Sequence, residues 1–125
     1  MVYIAIVIKL IISLSVLNVW LFRANKSTAW RGAGANSLEE EFKVYGLSPA
    51  IMKIVGAVKI VLSLLIIASI FYQPLILIGA TGMAFMMAVA VAMHVKVKDP
   101  LKKSLPAFLF LLLSVVLLLF YGMGQ

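Results

Sequence analysis

Few residues in this chain could do chemistry, and most of them lie outside its apolar stretches. The 125 residues contain no cysteine, a single histidine, His94, and four acidic residues: Glu39, Glu40, Glu41 and Asp99. Without cysteine the chain cannot form its own disulfide or a thiolate metal site, and one histidine cannot supply bis-histidine haem ligation. We therefore expect no metal site, no cofactor and no catalytic residue in this chain alone.

Two lysines lie inside apolar runs, where a charge is costly. Lys9 is near the start of the first run, and because helical side chains lean toward their own N-terminus it can extend to the headgroups. Lys59 lies about ten residues into the second run, ~15 Å from its start at ~1.5 Å per residue. An isolated charge at that depth costs at least ~2.5–3.5 kcal/mol. Lys59 shares a helix face with Gly56 and Ser63, so we expect it to point into a helical bundle.

A lysine inside a bundle needs a polar partner. The candidates in this sequence are Glu40, Glu41, Asn18, Ser13 and Tyr45. The pocket that they would form with Lys59 is the predicted binding site. The alternative is that Lys59 extends to the headgroups without a specific partner.

Two further polar residues, His94 and Asp99, flank the third loop and complete the predicted binding residues. The simpler interpretation of His94 is a hydrogen-bonded residue at the interface. The simpler interpretation of Asp99 is an N-cap followed by Pro100 at the first helical position.

The overall composition indicates a membrane protein. Hydrophobic residues make up 65% of the chain and charged residues 12%, against ~45–50% and ~25% in average soluble domains. A soluble core of this size could not bury so much apolar surface. The net charge of +7 is explained by basic loops against anionic headgroups, so we expect no nucleic-acid partner. No long polar linker divides the chain, which predicts a single domain over residues 1–125.

Four apolar runs predict four membrane-spanning helices. They cover about residues 2–22, 49–72, 74–95 and 105–122. Each approaches the ~20 apolar residues needed to cross a bilayer. Ser48 and Ser104 stand before prolines and predict the N-caps of the second and fourth helices.

A cleaved signal peptide is the rival interpretation of the first run, but no basic residue precedes it and Lys9 interrupts it. No acidic residue lies in any run, which argues against a proton-coupled exporter.

The first loop contains a predicted short amphipathic helix over residues 37–45. Ser37 and Glu40 form a capping box, and Gly46 is a suitable stop. Its apolar residues share one face: Leu38, Phe42 and Tyr45. The predicted fold class is therefore an all-α membrane protein, a bundle of four transmembrane helices with a short interfacial helix in the first cytoplasmic loop.

Basic residues predict the orientation in the membrane. The first and third loops carry Arg23, Lys26, Arg31, Lys43, Lys96, Lys98, Lys102 and Lys103, whereas the second loop and the C-terminal tail carry none. The positive-inside rule then places both termini outside the cell.

Small residues predict where helices touch. The third helix carries alanine at four-residue spacing: Ala80, Ala84, Ala88 and Ala92. Together with Gly56 they would let backbones approach closely in lipid. We expect this face to pack within the bundle, with a homodimer seam as the alternative.

The segment His94-Val-Lys-Val-Lys-Asp-Pro-Leu-Lys-Lys-Ser-Leu-Pro-Ala107 resembles the DoxX-like family of small four-helix membrane proteins. Three other segments support the resemblance: Arg23–Arg31, Glu40–Leu47 and Val55–Lys59. The first element also resembles one in NACHO, the nicotinic acetylcholine receptor assembly chaperone, where an acidic residue takes the place of Lys59. The family implies a four-helix bundle in the plasma membrane of bacteria, without a settled activity.

Two functions follow from this resemblance and from the residues. One is a non-enzymatic scaffold or chaperone-like assembly factor that contacts lipid and other membrane proteins. The other is a quinone-interacting subunit of a membrane oxidoreductase complex, because Lys59, His94 and the aromatic residues could hydrogen-bond a quinone. The redox cofactor would then come from another chain.

Overall fold

A computed structural model of the protein describes residues 2–25, 31 and 34–124. Five α-helices follow one another: α1 Val2–Leu17, α2 Leu38–Val44, α3 Pro49–Ala68, α4 Leu75–Lys96 and α5 Leu101–Gly122. α1 continues directly as a π-helix over Asn18–Phe22. The described part of the chain contains no strand, which confirms the all-α class. Lys26 and most of the predicted first-loop coil before Gly34 lie outside the described residues.

Four of these segments are long and apolar enough to cross a membrane. They are α1 with its π-helical extension, α3, α4 and α5, with mean hydropathies of 2.3, 2.4, 2.3 and 2.5. The protein is therefore an integral membrane protein, as predicted. Ser48 caps α3 by accepting a hydrogen bond from the Ile51 amide at 3.2 Å, with Pro49 at the first helical position.

The start of the last span differs from the prediction. α5 begins at Leu101, so Ser104 lies buried within the first turn and Pro106 lies inside the helix. The predicted caps at Ser104 and Asp99 are therefore wrong. Residues 102–104 are polar, but they remain good enough helix formers to extend the helix beyond its apolar run.

The four long helices form an antiparallel bundle. α1 packs against α3 and α5, and α4 packs against the same two helices, most extensively against α5. α2, the start of α3 and the α4–α5 turn lie at one end, which we call the α2 end. The chain termini and the α3–α4 turn lie at the other end. The described basic residues, apart from Lys9 and Lys59, belong to the α2 end.

The core runs along the bundle axis. Its fully buried side chains include Ile12, Ile66, Ile76, Met83 and Leu117. The contact between α3 and α4 is especially close, because a Cβ added at Gly79 would lie 2.8 Å from Ile66 Cγ1. Glycine thus permits the approach of these two helices.

The alanine face of α4 is buried over only part of its length. Ala80 is fully buried and Ala84 partly, whereas Ala88 and Ala92 are exposed in this chain. A four-residue step rotates ~40° beyond a full α-helical turn, so the series drifts around the helix. The expectation of one continuous buried face is wrong for Ala88 and Ala92. The buried stripe is Ile76, Gly79, Ala80, Met83, Met87 and His94.

α2 is fixed at both ends by local hydrogen bonds. The Ser37 hydroxyl accepts from the Glu40 amide at 3.2 Å, and the Glu40 carboxylate accepts from the Asn36 amide at 2.7 Å. At the other end Gly46 has a φ of 81°, and the Leu47 amide donates to the Phe42 carbonyl at 2.8 Å. These are a capping box and a Schellman stop.

Lys9 has a partner inside the protein. Its ammonium donates to the Ser69 carbonyl at 3.2 Å, and the residue is only 5% exposed. Ser69 caps the C-terminus of α3, where unpaired carbonyls carry partial negative charge. Lys9 therefore points toward the terminal end, as its helix predicts, but it binds a helix terminus instead of reaching the headgroups.

Candidate functional site

A cavity of about 480 Å³ lies at the α2 end of the bundle. All five helices and the first loop contribute to its walls. Its apolar lining includes Val16, Trp20, Leu38, Phe42, Met87, Ala90, Ala107 and Phe110. Its polar lining includes Ser15, Asn18, Arg23, Arg31, Glu41, Lys59, His94 and Lys103. Largely apolar walls with a few converging polar groups are typical of sites for small molecules.

The structure places four of the predicted site residues on this one cavity: Asn18, Glu41, Lys59 and His94. Tyr45 and Asp99 lie behind His94, as described below. Glu40 is exposed and is engaged in capping α2, because its place in the first helical turn directs the carboxylate to the backbone. Glu40 is not among the residues that line this cavity.

The Lys59 ammonium is held beside an aromatic ring of the cavity wall. It lies 5.4 Å from the centre of the Trp20 ring, within the range of a cation–π contact. Among the described residues it has no hydrogen-bond acceptor and no ion-pair partner. Glu41 lines the same cavity and attracts it electrostatically. The predicted direct bond to Ser13, Asn18 or Tyr45 is not formed.

Trp20 owes its position to two local features. The π-helical turn over Asn18–Phe22 shifts the residues after Leu17 from their α-helical directions. Gly56 on α3 leaves space for the indole ring, because a Cβ there would lie 2.6 Å from a ring carbon. Close approach at Gly56 is thus a contact between a backbone and a side chain.

Aromatic contacts join the cavity wall into one layer. Ring centres lie 5.9 Å apart between Trp20 and Phe42, 6.1 Å between Phe42 and Tyr45, and 6.0 Å between Tyr45 and His94. Two of these pairs are edge-to-face, a favourable geometry for aromatic rings. The series connects α1, α2 and α4, so α2 packs firmly onto the bundle.

His94 is held by the turn that follows it. Its Nδ1 lies 2.8 Å from Asp99 Oδ2, and the Asp99 amide donates to the His94 carbonyl at 3.0 Å. The turn between them is tight, and Lys98 adopts a φ of 58°. With Nδ1 engaged, Nε2 is the nitrogen that remains available to a ligand in the cavity.

Tyr45 supports the other side of the site. Its hydroxyl donates to the Glu41 carboxylate, and burial followed by the charge of Glu41 raises the pKa of the phenol far above its ordinary value. The Tyr45 carbonyl accepts from the Lys96 ammonium at 2.9 Å. The bond from Lys96 ties the end of α2 to the end of α4.

The DoxX-like family model matches residues 5–117 of the chain. This protein belongs to the DoxX-like family. The matched range contains every residue that lines the cavity, from Ser15 to Phe110. No curated protein matches the chain, and no solved structure matches it.

The segment that most resembled the DoxX-like family contributes directly to the site. His94, Lys103, Pro106 and Ala107 all line the cavity. The spacing of these residues in the sequence does not predict their place in the cavity, because Lys103 reaches the first loop only through a tertiary contact with Arg31.

Sequence reasoning missed three basic residues of this DoxX-like protein, Arg23, Arg31 and Lys103. Arg31 is only 4% exposed, donates to the Arg23 carbonyl at 2.6 Å and accepts from Lys103 at 2.8 Å through its own carbonyl. Burial lowers the pKa of the Arg31 guanidinium, and Glu41 opposes that shift. The three looked like ordinary topology signals, because nothing in the sequence shows that their loops turn back onto the bundle.

Proposed function

We propose that this protein is a non-enzymatic membrane scaffold that works by holding an amphipathic molecule from the bilayer in the cavity at its α2 end. The observation that carries the proposal is the cavity itself, with an apolar wall on the bundle side and converging polar groups near the loops. A ligand with an apolar body and a polar head would match both parts.

The arrangement of the lining supports binding over catalysis. Within the described ranges, no group of three histidine, cysteine, aspartate or glutamate residues could hold a metal ion. The His94–Asp99 pair orients an imidazole. Among the described lining residues, however, there is no cysteine or threonine, and the one serine, Ser15, has no hydrogen bond to His94. Nucleophilic catalysis needs such a pair.

Filling the cavity tests this proposal. Ala90 lines the cavity, whereas Ala88 on the same helix is exposed. Native mass spectrometry of protein extracted gently from membranes should show a co-purifying small amphiphile in the wild type and in Ala88→Phe, and should show it lost in Ala90→Phe. Equal occupancy in both variants would refute binding in this cavity.

A quinone is the second candidate ligand. His94 and Lys59 both line the cavity, where the lysine ammonium can donate a hydrogen bond to a quinone carbonyl, and Trp20 offers a ring for stacking. Organic extraction of the purified protein, followed by chromatography and a reduced-minus-oxidised spectrum, distinguishes the two candidates. A quinone that is retained by the wild type and lost from Ala90→Phe would favour the role as an oxidoreductase subunit.

A further inference from the structure

The charges around the cavity are strongly unbalanced. Four permanently or normally cationic side chains line it: Arg23, Arg31, Lys59 and Lys103. Glu41 is the one carboxylate among the described lining residues, and His94 is already paired with Asp99. The described lining therefore carries an excess of about three positive charges.

Glu41 offsets only part of this excess among the described lining residues. Glu41 interacts with Arg31 and accepts the Tyr45 hydroxyl, so its charge is shared. Lys59 has no acceptor among the described residues and stands over Trp20. Cations gathered in a partly apolar cavity focus a positive potential on its interior, and an anion that enters lowers the free energy of all of them.

We propose that the cavity is a binding site for a phosphate monoester headgroup, with the lipid tail along the apolar wall and the phosphate among Lys59, Arg23 and Lys103. This inference rests on the proposed ligand-holding function and names the ligand class. A phosphate monoester carries roughly −1.5 to −2 charge near pH 7 and three acceptor oxygens. It matches this excess of charge better than a carboxylate, which brings a single negative charge.

The backbone geometry prepares the cations for this role. Arg31 donates to the Arg23 carbonyl at 2.6 Å, and Lys103 donates to the Arg31 carbonyl at 2.8 Å. These bonds hold α5 and the two loop arginines together at the mouth of the cavity before any ligand arrives. Preorganised groups lose less entropy on binding.

The test measures lipid binding to the purified full chain in neutral detergent by native mass spectrometry. The probes are phosphatidic acid, diacylglycerol with the same tails, oleate and inorganic phosphate. Phosphatidic acid should bind most tightly. Oleate binding as tight as phosphatidic acid would overturn the phosphate assignment.

Two lysines of α3 provide matched variants. Lys59→Met should weaken phosphatidic acid binding by about tenfold, equivalent to ~1.4 kcal/mol. Lys53→Met removes the same charge from an exposed position outside this cavity and should leave binding unchanged. Equal losses in both would mean general surface attraction and would refute the site. Arg23→Gln, at an exposed loop position, should also weaken phosphatidic acid binding. It replaces Lys59→Met as the test variant if Lys59→Met does not fold.

The probes also separate this inference from the proposed function. If diacylglycerol binds as well as phosphatidic acid and Ala90→Phe abolishes both, the cavity holds an amphiphile but the phosphate inference fails. If Ala90→Phe affects neither lipid, both fail. Competition by inorganic phosphate would identify a site open to free phosphate, whereas its absence would identify one that takes the phosphate only as a lipid headgroup. Either result supports the phosphate chemistry, provided that phosphatidic acid binding depends on Lys59.

Discussion

His94 Nδ1 and Asp99 Oδ2 lie 2.8 Å apart across the turn between α4 and α5, and both side chains are more than nine-tenths buried. Removing either partner deletes a hydrogen bond between two buried side chains, which costs about 1–3 kcal/mol. We expect His94→Ala and Asp99→Ala each to lower the free energy of unfolding, and the double variant to lower it by less than their sum. Denaturant titration in mixed micelles measures this cycle. Additive effects would show that the contact contributes nothing.

The contact between Gly56 and Trp20 makes a second prediction. Gly56→Ala places a Cβ 2.6 Å from a ring carbon, and such overpacking costs about 1–3 kcal/mol. Gly122→Ala is the control, because nothing lies within 4 Å of a Cβ there and alanine is otherwise the better helix former. The melting temperature measured in detergent should fall for Gly56→Ala and not for Gly122→Ala. An unchanged melting temperature would mean that the indole has room to move.

Lys59 should contribute to binding at the expense of stability. Its ammonium is held in a partly apolar cavity with no hydrogen-bond acceptor among the described residues, so removing the charge relieves a desolvation cost. We expect Lys59→Met to unfold at the same or a higher temperature than the wild type, whereas Lys53→Met should not differ. A clear loss of stability in Lys59→Met would mean that the contact with Trp20 outweighs the desolvation cost and would contradict this prediction.

Tyr45 should resist ionisation at alkaline pH. Burial and Glu41 raise its pKa above the ordinary value of ~10. At about pH 11 the Tyr45 phenol should therefore stay protonated in the folded protein. The folded wild type and Tyr45→Phe should then show the same phenolate absorbance. After unfolding, the wild type should show one additional phenolate. Because the pKa is raised on folding, the stability associated with Tyr45 is complete below about pH 10 and is lost as the pH rises above it. A full additional phenolate in the folded wild type would contradict the buried contact.

Orientation in the membrane can be tested directly because the chain has no cysteine. Gln73 and Leu101 are both exposed and lie at opposite ends of the bundle, so each can be replaced by a single cysteine. An impermeant thiol reagent added to intact cells should label the cysteine at Gln73 and not that at Leu101, since the basic α2 end is predicted to face the cytoplasm. The reverse labelling pattern would overturn the predicted orientation.

The sequence could predict the bundle but only part of the site. Hydropathy located the spans, the Ser48–Pro49 cap located the start of α3, and the capping box at Ser37 located α2, because these signals are local. Lys59 was recognisable because a charge inside an apolar run needs an explanation. Arg31 and Lys103 gave no such signal, since their inclusion depends on a tertiary contact between the first loop and the start of α5. Ala88 and Ala92 were misjudged because a four-residue repeat does not keep phase with the α-helix.

The spacing between two residues of the first span, Lys9 in α1 and Trp20 in its π-helical extension, is fixed by the packing against α3. α1 is fastened to α3 at two points, by Lys9 at the Ser69 carbonyl and by Trp20 at Gly56. Each residue of an α-helix turns the chain by ~100°, so one residue inserted or deleted between these points would swing one anchor away from α3. The number of residues from Lys9 to Trp20 is thus as much a part of the site as their chemical identity.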